Sequence, residues 1–464
     1  MSVQQLDVRP ETFAPGDIYK NVLFGTNGWK FLWNGGQRQF DHLMGEPLIP
    51  GSVENFVLNL KSRRTICAER RLPYMHMVFP SKPVVMTEYL PEPLKGKVRS
   101  LFERHYRAAV DQAGLSDICL YPEQMLKEEK SVRQIFMPHD THMAATGCAM
   151  VSELMIQALG WSHDPQAHMD IFNRHWLGDL GVMAGTNERL EEASLRPTSR
   201  SAQTWNNRPS LTGNTGNIVV VHHPQATSNK RLLAIGDSFI AHSLTSLSTF
   251  FRDILYVRSP GFQPDLIDLF APDAVITGNA ERYLCRVAPD SLADSALMYS
   301  YGLNNYTPAP DFSAALRAQL AYKHYLHQYM RWSQQVSMLR FSGLGLAKLN
   351  EQLMIDVDDD TWLQSTDRDP IMLFSDTSLK TGADYHLRVK MESKVNSIAQ
   401  LFIGQTGGDR TFSEKCSVSV PVSVGMNILE FNIPAAGRGQ QLRFDPLKCP
   451  GRFQITAMDL TAIE

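Results

Sequence analysis

The feature that most constrains the fold is an apolar run that ends abruptly at a glycine, an aspartate and a serine. Residues 231–235 read Arg-Leu-Leu-Ala-Ile, Gly236, Asp237 and Ser238 follow directly, and a helix-like apolar run covers 242–251. A strand that turns sharply into a helix lifts the serine hydroxyl off a sheet edge, where free N–H groups of the helix start can stabilise an oxyanion. Gly-Asp-Ser alone is a common turn sequence, so the flanking strand and helix support the prediction of Ser238 as a nucleophile.

A serine nucleophile needs a base that takes its proton. The best candidate is His142, because Asp140 stands two residues before it and can orient the imidazole from a loop. His139 and His242 are rival bases, but both are more typical of surface or packing positions. His242 would also lie one helical turn beyond Ser238, too deep along the helix to reach the hydroxyl easily. The sequence therefore predicts a triad of Ser238, His142 and Asp140.

Together the two motifs resemble those of the SGNH hydrolase group, and specifically its alginate O-acetyltransferase-like branch. Ordinary SGNH enzymes carry Asp-x-x-His after the serine, whereas the alginate-type enzymes carry Asp-x-His before it, as this chain does at 140–142. Further segments resemble the family in the same order, namely 24–32, 71–82, 176–181 and 272–284. The resemblance covers roughly residues 20–290. One departure is Met143, since the family usually has an aromatic residue after the histidine.

Strand-like and helix-like patterns alternate through the first part of the chain. Strands are predicted at 74–79, 218–221, 232–235, 254–257 and 274–277, and helices at 50–72, 95–114 and 143–159. This alternation predicts an α/β fold with a mainly parallel sheet flanked by helices, which the resemblance implies is SGNH-like. Ligands of such sheets bind at the carboxyl ends of the strands, where Ser238 falls.

The pattern changes to short alternating runs beyond about residue 350. These runs are 385–391, 398–403, 417–422, 427–433, 441–444 and 453–460. They predict a C-terminal β-sandwich, preceded by a mostly helical connection over 316–353. We expect its core to contain Phe402, Phe431, Phe444 and Phe453. The predicted domains are an SGNH-like catalytic domain over 1–350 and a β-sandwich over 351–464, for which the resemblance implies a carbohydrate-binding-module-like role.

Composition and charge exclude several classes of function. The formal net charge is −3 over 464 residues, which gives no reason to expect nucleic acid. No apolar run reaches the ~20 residues that span a bilayer. Residues 1–7 have neither a basic nor an apolar signal region. We therefore expect a cytoplasmic protein if Met1 is the native start, and a periplasmic one if a signal peptide has been removed.

The cysteines and one acidic run give no sign of a metal site. None of the six cysteines has C-x-x-C spacing, so most should be free thiols, although Cys416 and Cys449 could pair in an exported protein. Residues 356–360 read Asp-Val-Asp-Asp-Asp and contain the D-x-D of some glycosyltransferases. A solvated acidic linker is the better interpretation of that run.

The resemblance implies an O-acetyltransferase that modifies hydroxyls of a bacterial surface polysaccharide, or of its precursor, through an acyl-serine intermediate. The Ser238 amide should form part of the oxyanion hole, and Gly236, Asn279 and Arg258 are further candidates for oxyanion or substrate contacts. Asn279 could equally be a turn residue, and Arg258 could equally form a surface salt bridge.

The acetyl donor and two alternative functions stay open. No bound cofactor is expected, and acetyl-CoA is a possible donor although no motif for it is visible. One alternative is a carbohydrate acetylesterase with the same triad, since the two differ only in whether the acceptor site excludes water. The other is a non-catalytic carbohydrate-binding protein that keeps the fold.

Overall fold

A computed structural model describes most of the chain as two compact units, Met1–His324 and Tyr325–Glu464. The description covers 3–463 except for 187, 200, 300–306, 337–338, 342–343, 350–351, 356–361, 376–378, 380–381, 406–411 and 436–437. The acidic run at 356–360 therefore lies outside the described residues. Among the residues described, no helix combines the length and the apolar character that a membrane crossing needs.

The first unit contains thirteen described strands and ten described α-helices. The strands are β1 (Gln4–Gln5), β2 (Asp17–Tyr19), β3 (Val22–Phe24), β4 (Lys30–Leu32), β5 (Tyr74–Phe79), β6 (Cys119–Leu120), β7 (Met169–Trp176), β8 (Leu190–Pro197), β9 (Gln203–Asn206), β10 (Ile218–His222), β11 (Ser228–Gly236), β12 (Phe251–Arg258) and β13 (Ala274–Ala280). The helices are α1 (Gln39–Met44), α2 (Ser52–Glu69), α3 (Lys82–Val85), α4 (Arg107–Gln112), α5 (Glu123–Glu129), α6 (Ala145–Ala158), α7 (Asp179–Ala184), α8 (Ser238–Leu247), α9 (Asp265–Phe270) and α10 (Pro310–Ala321). A π-helical turn, Phe102–Tyr106, precedes α4.

A seven-stranded sheet forms the centre of this unit, in the order β6-β5-β13-β11-β12-β10-β9. Its first five strands pair in parallel, and β10 and β9 join the edge antiparallel. Two further small sheets contain β1 to β4 and the β7–β8 ribbon. The prediction of a mainly parallel sheet is confirmed.

Helices cover both faces of the central sheet. Successive side chains of β5 point to opposite faces: Met75 and Met77 join the core that includes Ile240 of α8, whereas the His76 ring meets Phe56 of α2 at 5.3 Å. The apolar face of α6 packs on α8 in the same core as Met75. The parallel strands therefore end at an edge that both helical layers leave accessible.

The second unit consists of a helix and two antiparallel sheets. Its elements are α11 (Leu326–Val336), β14 (Leu339–Phe341), β15 (Leu344–Leu349), β16 (Leu353–Ile355), β17 (Leu363–Ser365), β18 (Met372–Ser375), β19 (Asp384–Ser393), β20 (Ser397–Gln405), β21 (Ser417–Val422), β22 (Gly425–Ile433), β23 (Arg438–Asp445) and β24 (Gly451–Ile463). One sheet has the order β14-β15-β18-β23-β20-β21 and the other β16-β17-β24-β19-β22. Side chains from both sheets share one core.

The alternating runs after residue 371 were correctly predicted as antiparallel strands. Phe431, Phe444 and Phe453 belong to the core of this unit, as expected. The expectation for Phe402 is wrong: Leu401 and Ile403 enter the core, so the Phe402 side chain points to the other face of the sheet, where the Arg443 guanidinium lies 4.6 Å from its ring. Cys416 and Cys449 are not joined by a disulfide.

The sequence-based expectation about the connection between the two units is wrong. The connection over 316–353 is helical only in part, because β14 and β15 follow α11 and pair with each other, and β15 pairs with β18. Ladder hydrogen bonds outweigh the local helical pattern there, and Gly345 has poor helix propensity. The two compact units divide in the chain at 324–325, and the predicted domain boundary lies at 350–351.

A buried charged network anchors α10 to the central sheet. Arg231 on β11 donates to Asp253 Oδ2 at 2.9 Å and to the Gln319 side chain at 2.9 Å. His222 Nδ1 lies 2.8 Å from the other oxygen of Asp253. Burial alone would raise the pKa of Asp253, but the hydrogen bond from His222 and the charge of Arg231 hold that pKa below its ordinary value.

We expect Asp253→Asn to lower the free energy of unfolding by about 3–5 kcal/mol, because the change leaves a buried guanidinium without its counter-charge. The control is Asp268→Asn, which removes an exposed partner of Arg70 and should cost about 0–1 kcal/mol. Urea unfolding followed by fluorescence measures both. Since the pKa of Asp253 is lowered in the folded state, its stabilisation exists above the unfolded pKa and is lost as the pH falls. The difference from wild type should therefore shrink in acid, and a constant difference would contradict this assignment.

Candidate active site

Hydrogen bonds to Asp237 hold the turn that carries Ser238, one from the helix that follows and one from strand β13. Asp237 caps α8 by accepting from the Phe239 N–H at 2.9 Å, and its second oxygen accepts from the Ala280 N–H at 2.7 Å. A Cβ on Gly236 would lie 2.1 Å from the Gly278 carbonyl oxygen, so this close approach requires glycine. Ser238 is consequently fixed as the first residue of α8, where its N–H has no partner within the helix.

The structure brings Ser238, His142 and Asp140 together at the carboxyl edge of the central sheet. The Ser238 hydroxyl lies 2.8 Å from His142 Nε2, and His142 Nδ1 lies 2.7 Å from Asp140 Oδ1. Asp140 Oδ1 also accepts from the His142 backbone N–H at 2.9 Å. If Nδ1 carries the proton that Asp140 accepts, Nε2 is free to accept from the serine hydroxyl. The arrangement matches a nucleophile, a base and an orienting carboxylate.

The second oxygen of Asp140 has partners that the sequence analysis did not identify. It accepts from the Trp176 indole N–H at 2.9 Å and from the Asp179 backbone N–H at 3.2 Å. Burial alone would raise the pKa of Asp140, but the hydrogen bonds from His142 and Trp176 hold that pKa well below its ordinary value. Trp176 and Asp179 lie in segment 176–181, which was noted for its family resemblance but given no role.

Asp179 supports the same loop from the other side. Its two oxygens accept from the Thr141 N–H at 2.8 Å and from the Thr141 hydroxyl at 2.5 Å. Burial and the charge of Asp140 raise the pKa of Asp179. Asp140, His142 and Asp179 are close enough to share a cation, yet His142 Nδ1 is already engaged with Asp140. The geometry is therefore explained by hydrogen bonds alone.

The two rival histidines have packing roles. His139 is buried, with Nε2 2.8 Å from Lys30 Nζ and 3.0 Å from the Gly28 carbonyl oxygen. Burial, aided by the charge of Lys30, lowers the pKa of His139 to about 4. The His242 ring stacks on the His142 ring, with centroids 4.1 Å apart and planes at 9°. The stacking contact fixes the plane of the His142 ring. His242 presents a ring face to His142 instead of a ring nitrogen.

The remaining candidates, Gly236, Asn279 and Arg258, line one cavity of about 470 Å³. Arg258 is half-buried and pairs in register with Gly236 across β11 and β12. Asn279 lies within β13, in register with Val78 of β5, so the interpretation of Asn279 as a turn residue is wrong. Its side-chain amide donates to the Ala280 carbonyl at 3.0 Å. The lining of the cavity includes Asp237, the residue before Ser238, but none of the three triad residues.

Comparisons with known proteins give distant structural similarities. No family model and no curated protein matches the chain. A DHHW family protein from Eubacterium siraeum is 14% identical, with a TM-score of 0.43 over 58% of this chain and 96% of that chain. The O-acetyltransferase domain of Pseudomonas putida AlgJ is 15% identical, with a TM-score of 0.39 over 61% and 99%. Pseudomonas aeruginosa AlgX is 12% identical, with a TM-score of 0.38 over 96% and 94%. Similarity this weak transfers no activity, so any function must follow from the side chains of this chain.

Gly178→Ala should displace the loop that holds the triad, because the new Cβ would lie 2.0 Å from the His139 carbonyl oxygen. We expect a loss of stability of about 1–3 kcal/mol and roughly 100-fold slower modification of Ser238 by a sulfonyl fluoride. Mass spectrometry of the adduct and thermal unfolding measure the two effects. Gly213→Ala is the control, since a Cβ there meets nothing within 4 Å. Equal labelling rates in the two variants would contradict the expected displacement.

Proposed function

We propose that the protein is an O-acetyltransferase that acts through an acetyl-serine on hydroxyls of a bacterial polysaccharide or its precursor. The single observation that supports a serine mechanism is the continuous chain from Ser238 Oγ to His142 Nε2 at 2.8 Å and from His142 Nδ1 to Asp140 at 2.7 Å. A half-buried serine with this partner has the base that its hydroxyl needs. The choice of acetyl group and sugar acceptor rests on the resemblance of the Asp-x-His and Gly-Asp-Ser motifs, in that order, to the alginate-type enzymes.

In the first half-reaction the Ser238 oxygen attacks the acetyl carbonyl while His142 Nε2 takes the hydroxyl proton. Asp140 stabilises the resulting imidazolium through Nδ1. The leaving group of the donor departs with the proton from His142, and the acetyl group stays on Ser238. General base catalysis of this kind is typically worth about 10²–10⁴ in rate.

In the second half-reaction a sugar hydroxyl replaces the departed group. His142 takes its proton as the hydroxyl oxygen attacks the acetyl-serine, and then returns the proton to Ser238 Oγ. In both steps the oxyanion forms beside the Ser238 N–H at the start of α8, a position where backbone donors stabilise negative charge. The cavity of about 470 Å³ lined by Gly236, Asn279 and Arg258 has the volume of a small-molecule site.

The reaction product distinguishes the proposed acetyltransferase from an acetylesterase. Water in place of the sugar hydroxyl would turn the same acetyl-serine into an esterase intermediate. The deciding assay supplies acetyl-CoA or an activated acetyl ester, with and without candidate saccharides, and follows the acetyl group by mass spectrometry. Acetylated saccharide supports the transferase. Free acetate alone, in the presence of every saccharide, would identify an esterase instead.

Ser238→Ala should leave folding intact and abolish the acetyl-enzyme, because it removes only the attacking oxygen. His142→Ala should lower the acylation rate by more than Asp140→Asn does, since the first removes the base and the second disturbs its orientation. Rapid-quench mass spectrometry of the acetylated chain measures all three. His175→Ala, on the exposed part of β7, is the control and should keep the wild-type rate. Full transfer by Ser238→Ala would exclude the covalent route.

The C-terminal unit is proposed to serve the acceptor and not the chemistry, because all three triad residues belong to Met1–His324. We expect a chain that ends at His324 to keep hydrolysis of a small acetyl ester and to lose most of its use of long saccharides. Circular dichroism checks that the shortened chain is folded. Equal loss of both activities in a folded chain would show that residues 325–464 help to build the active site.

A further inference from the structure

A buried lysine lies directly beneath the loop that carries Asp140 and His142. Lys82 is the first residue of α3, after β5 ends at Phe79, and its side chain is buried. Its ammonium donates to four backbone carbonyl oxygens, those of Lys30 at 2.7 Å, Met137 at 2.7 Å, Pro138 at 2.9 Å and Asp140 at 2.9 Å. Three of the four belong to the loop that leads to His142.

The rest of the Lys82 environment is aromatic. The Lys82 nitrogen lies 4.9 Å from the ring centroid of Trp29 and 5.3 Å from that of Phe31. Within the described part of the chain, no carboxylate oxygen lies within 4.0 Å of this nitrogen. Carbonyl dipoles and ring faces therefore replace the water shell of the cation. Burial lowers the pKa of Lys82 to about 7, whereas the negative charges of Asp140 and Asp179 act in the opposite direction. The four carbonyl acceptors also favour the protonated form.

The geometry makes the loop depend on this ammonium. An ammonium has three protons, so four acceptors saturate it and the loop carbonyls must converge on one point. Without the cation, the same oxygens would face one another in a buried space with no donor. Rotation of the peptides at 137–140 would relieve this, but Asp140 is part of that turn and orients His142. Such a rotation would move the His142 ring away from Ser238.

We propose that the Lys82 ammonium is a positioning group that holds the Asp140–His142 loop in the conformation in which His142 reaches Ser238. The contribution of Lys82 to catalysis rests on the proposed acyl-serine function, whereas its effect on the loop conformation does not. Removing the side chain beyond Cβ leaves a space with the shape of propylammonium, lined by the four carbonyl oxygens. That space should accept propylammonium from solution.

The test compares Lys82→Ala with wild type, with and without propylammonium chloride. Tetramethylammonium chloride is the salt control, because it carries a positive charge but no N–H donor. Lys127→Ala is the matched control variant, since Lys127 is half-exposed on α5 and pairs with Glu123 of the same helix. Two readouts report the triad without any acetyl substrate. One is the low-field proton NMR signal of the His142–Asp140 hydrogen bond, and the other is the rate of Ser238 modification by a sulfonyl fluoride.

We expect Lys82→Ala to lose the low-field signal and to label Ser238 roughly 100-fold more slowly, the usual cost of misplacing a catalytic group by about 1 Å. Propylammonium should restore both readouts, and tetramethylammonium should restore neither. Lys127→Ala should behave as wild type in every condition. Lys82→Met fills the space without a donor, so it should show the same loss without rescue.

Two results would overturn the proposal. One is a folded Lys82→Ala or Lys82→Met chain with a wild-type signal and labelling rate, which would show that the loop does not need the ammonium. The other is a Lys82→Ala chain that is not restored by propylammonium, including one that fails to fold in its presence. A failure of the proposed acetyltransferase function can be distinguished from a failure of the proposed role of Lys82. Wild-type enzyme with the signal and labelling but no acetyl transfer would refute that function and leave the role of Lys82 standing.

Discussion

The close approach of β11 and β13 at their carboxyl ends is the constraint on which the candidate site depends. Gly236 sits against the Gly278 carbonyl oxygen with no room for a Cβ, and Asp237 then reaches the Ala280 N–H at 2.7 Å. Parallel pairing of β11 with both β12 and β13 places this turn at the middle of the sheet edge. Ser238 can therefore begin α8 with its hydroxyl and N–H directed to the accessible edge of the sheet.

The base reaches this turn through a loop that buried polar groups hold, in addition to the apolar packing of Phe136 and Met143 at its two ends. Asp140 accepts hydrogen bonds on both oxygens, and the loop carbonyls converge on the Lys82 ammonium. Buried polar groups are costly unless every one is paired, so this arrangement favours one loop conformation over its neighbours. The His242 ring stacks on the His142 ring and fixes its plane. The hydrogen bonds that stabilise this loop also orient the His142 ring. The stability of the loop and the preorganisation of the base therefore depend on the same groups.

The sequence was informative where a single local pattern sufficed and incomplete where distant residues cooperate. The segment 231–238 predicted a strand, a turn and a helix start, and all three are present. The residues that support Asp140, namely Trp176 and Asp179, lie far along the chain and were visible only as part of a segment with family resemblance. The connection over 316–353 was wrongly predicted as mostly helical, since antiparallel pairing of β14 and β15 depends on partners that a local window does not include.

The sequence by itself determined the α/β alternation, the change to antiparallel strands after residue 371, and the identities of Ser238, His142 and Asp140 as candidates. Each follows from residue type and spacing within a few positions. Only the tertiary structure decided that the Ser238 hydroxyl lies 2.8 Å from His142, that His139 is held by Lys30, and that Lys82 anchors the loop. The physical reason is that hydrogen bonds between residues separated by 58 to 109 positions depend on how the sheet and its loops pack. Local sequence patterns contain no information about that packing.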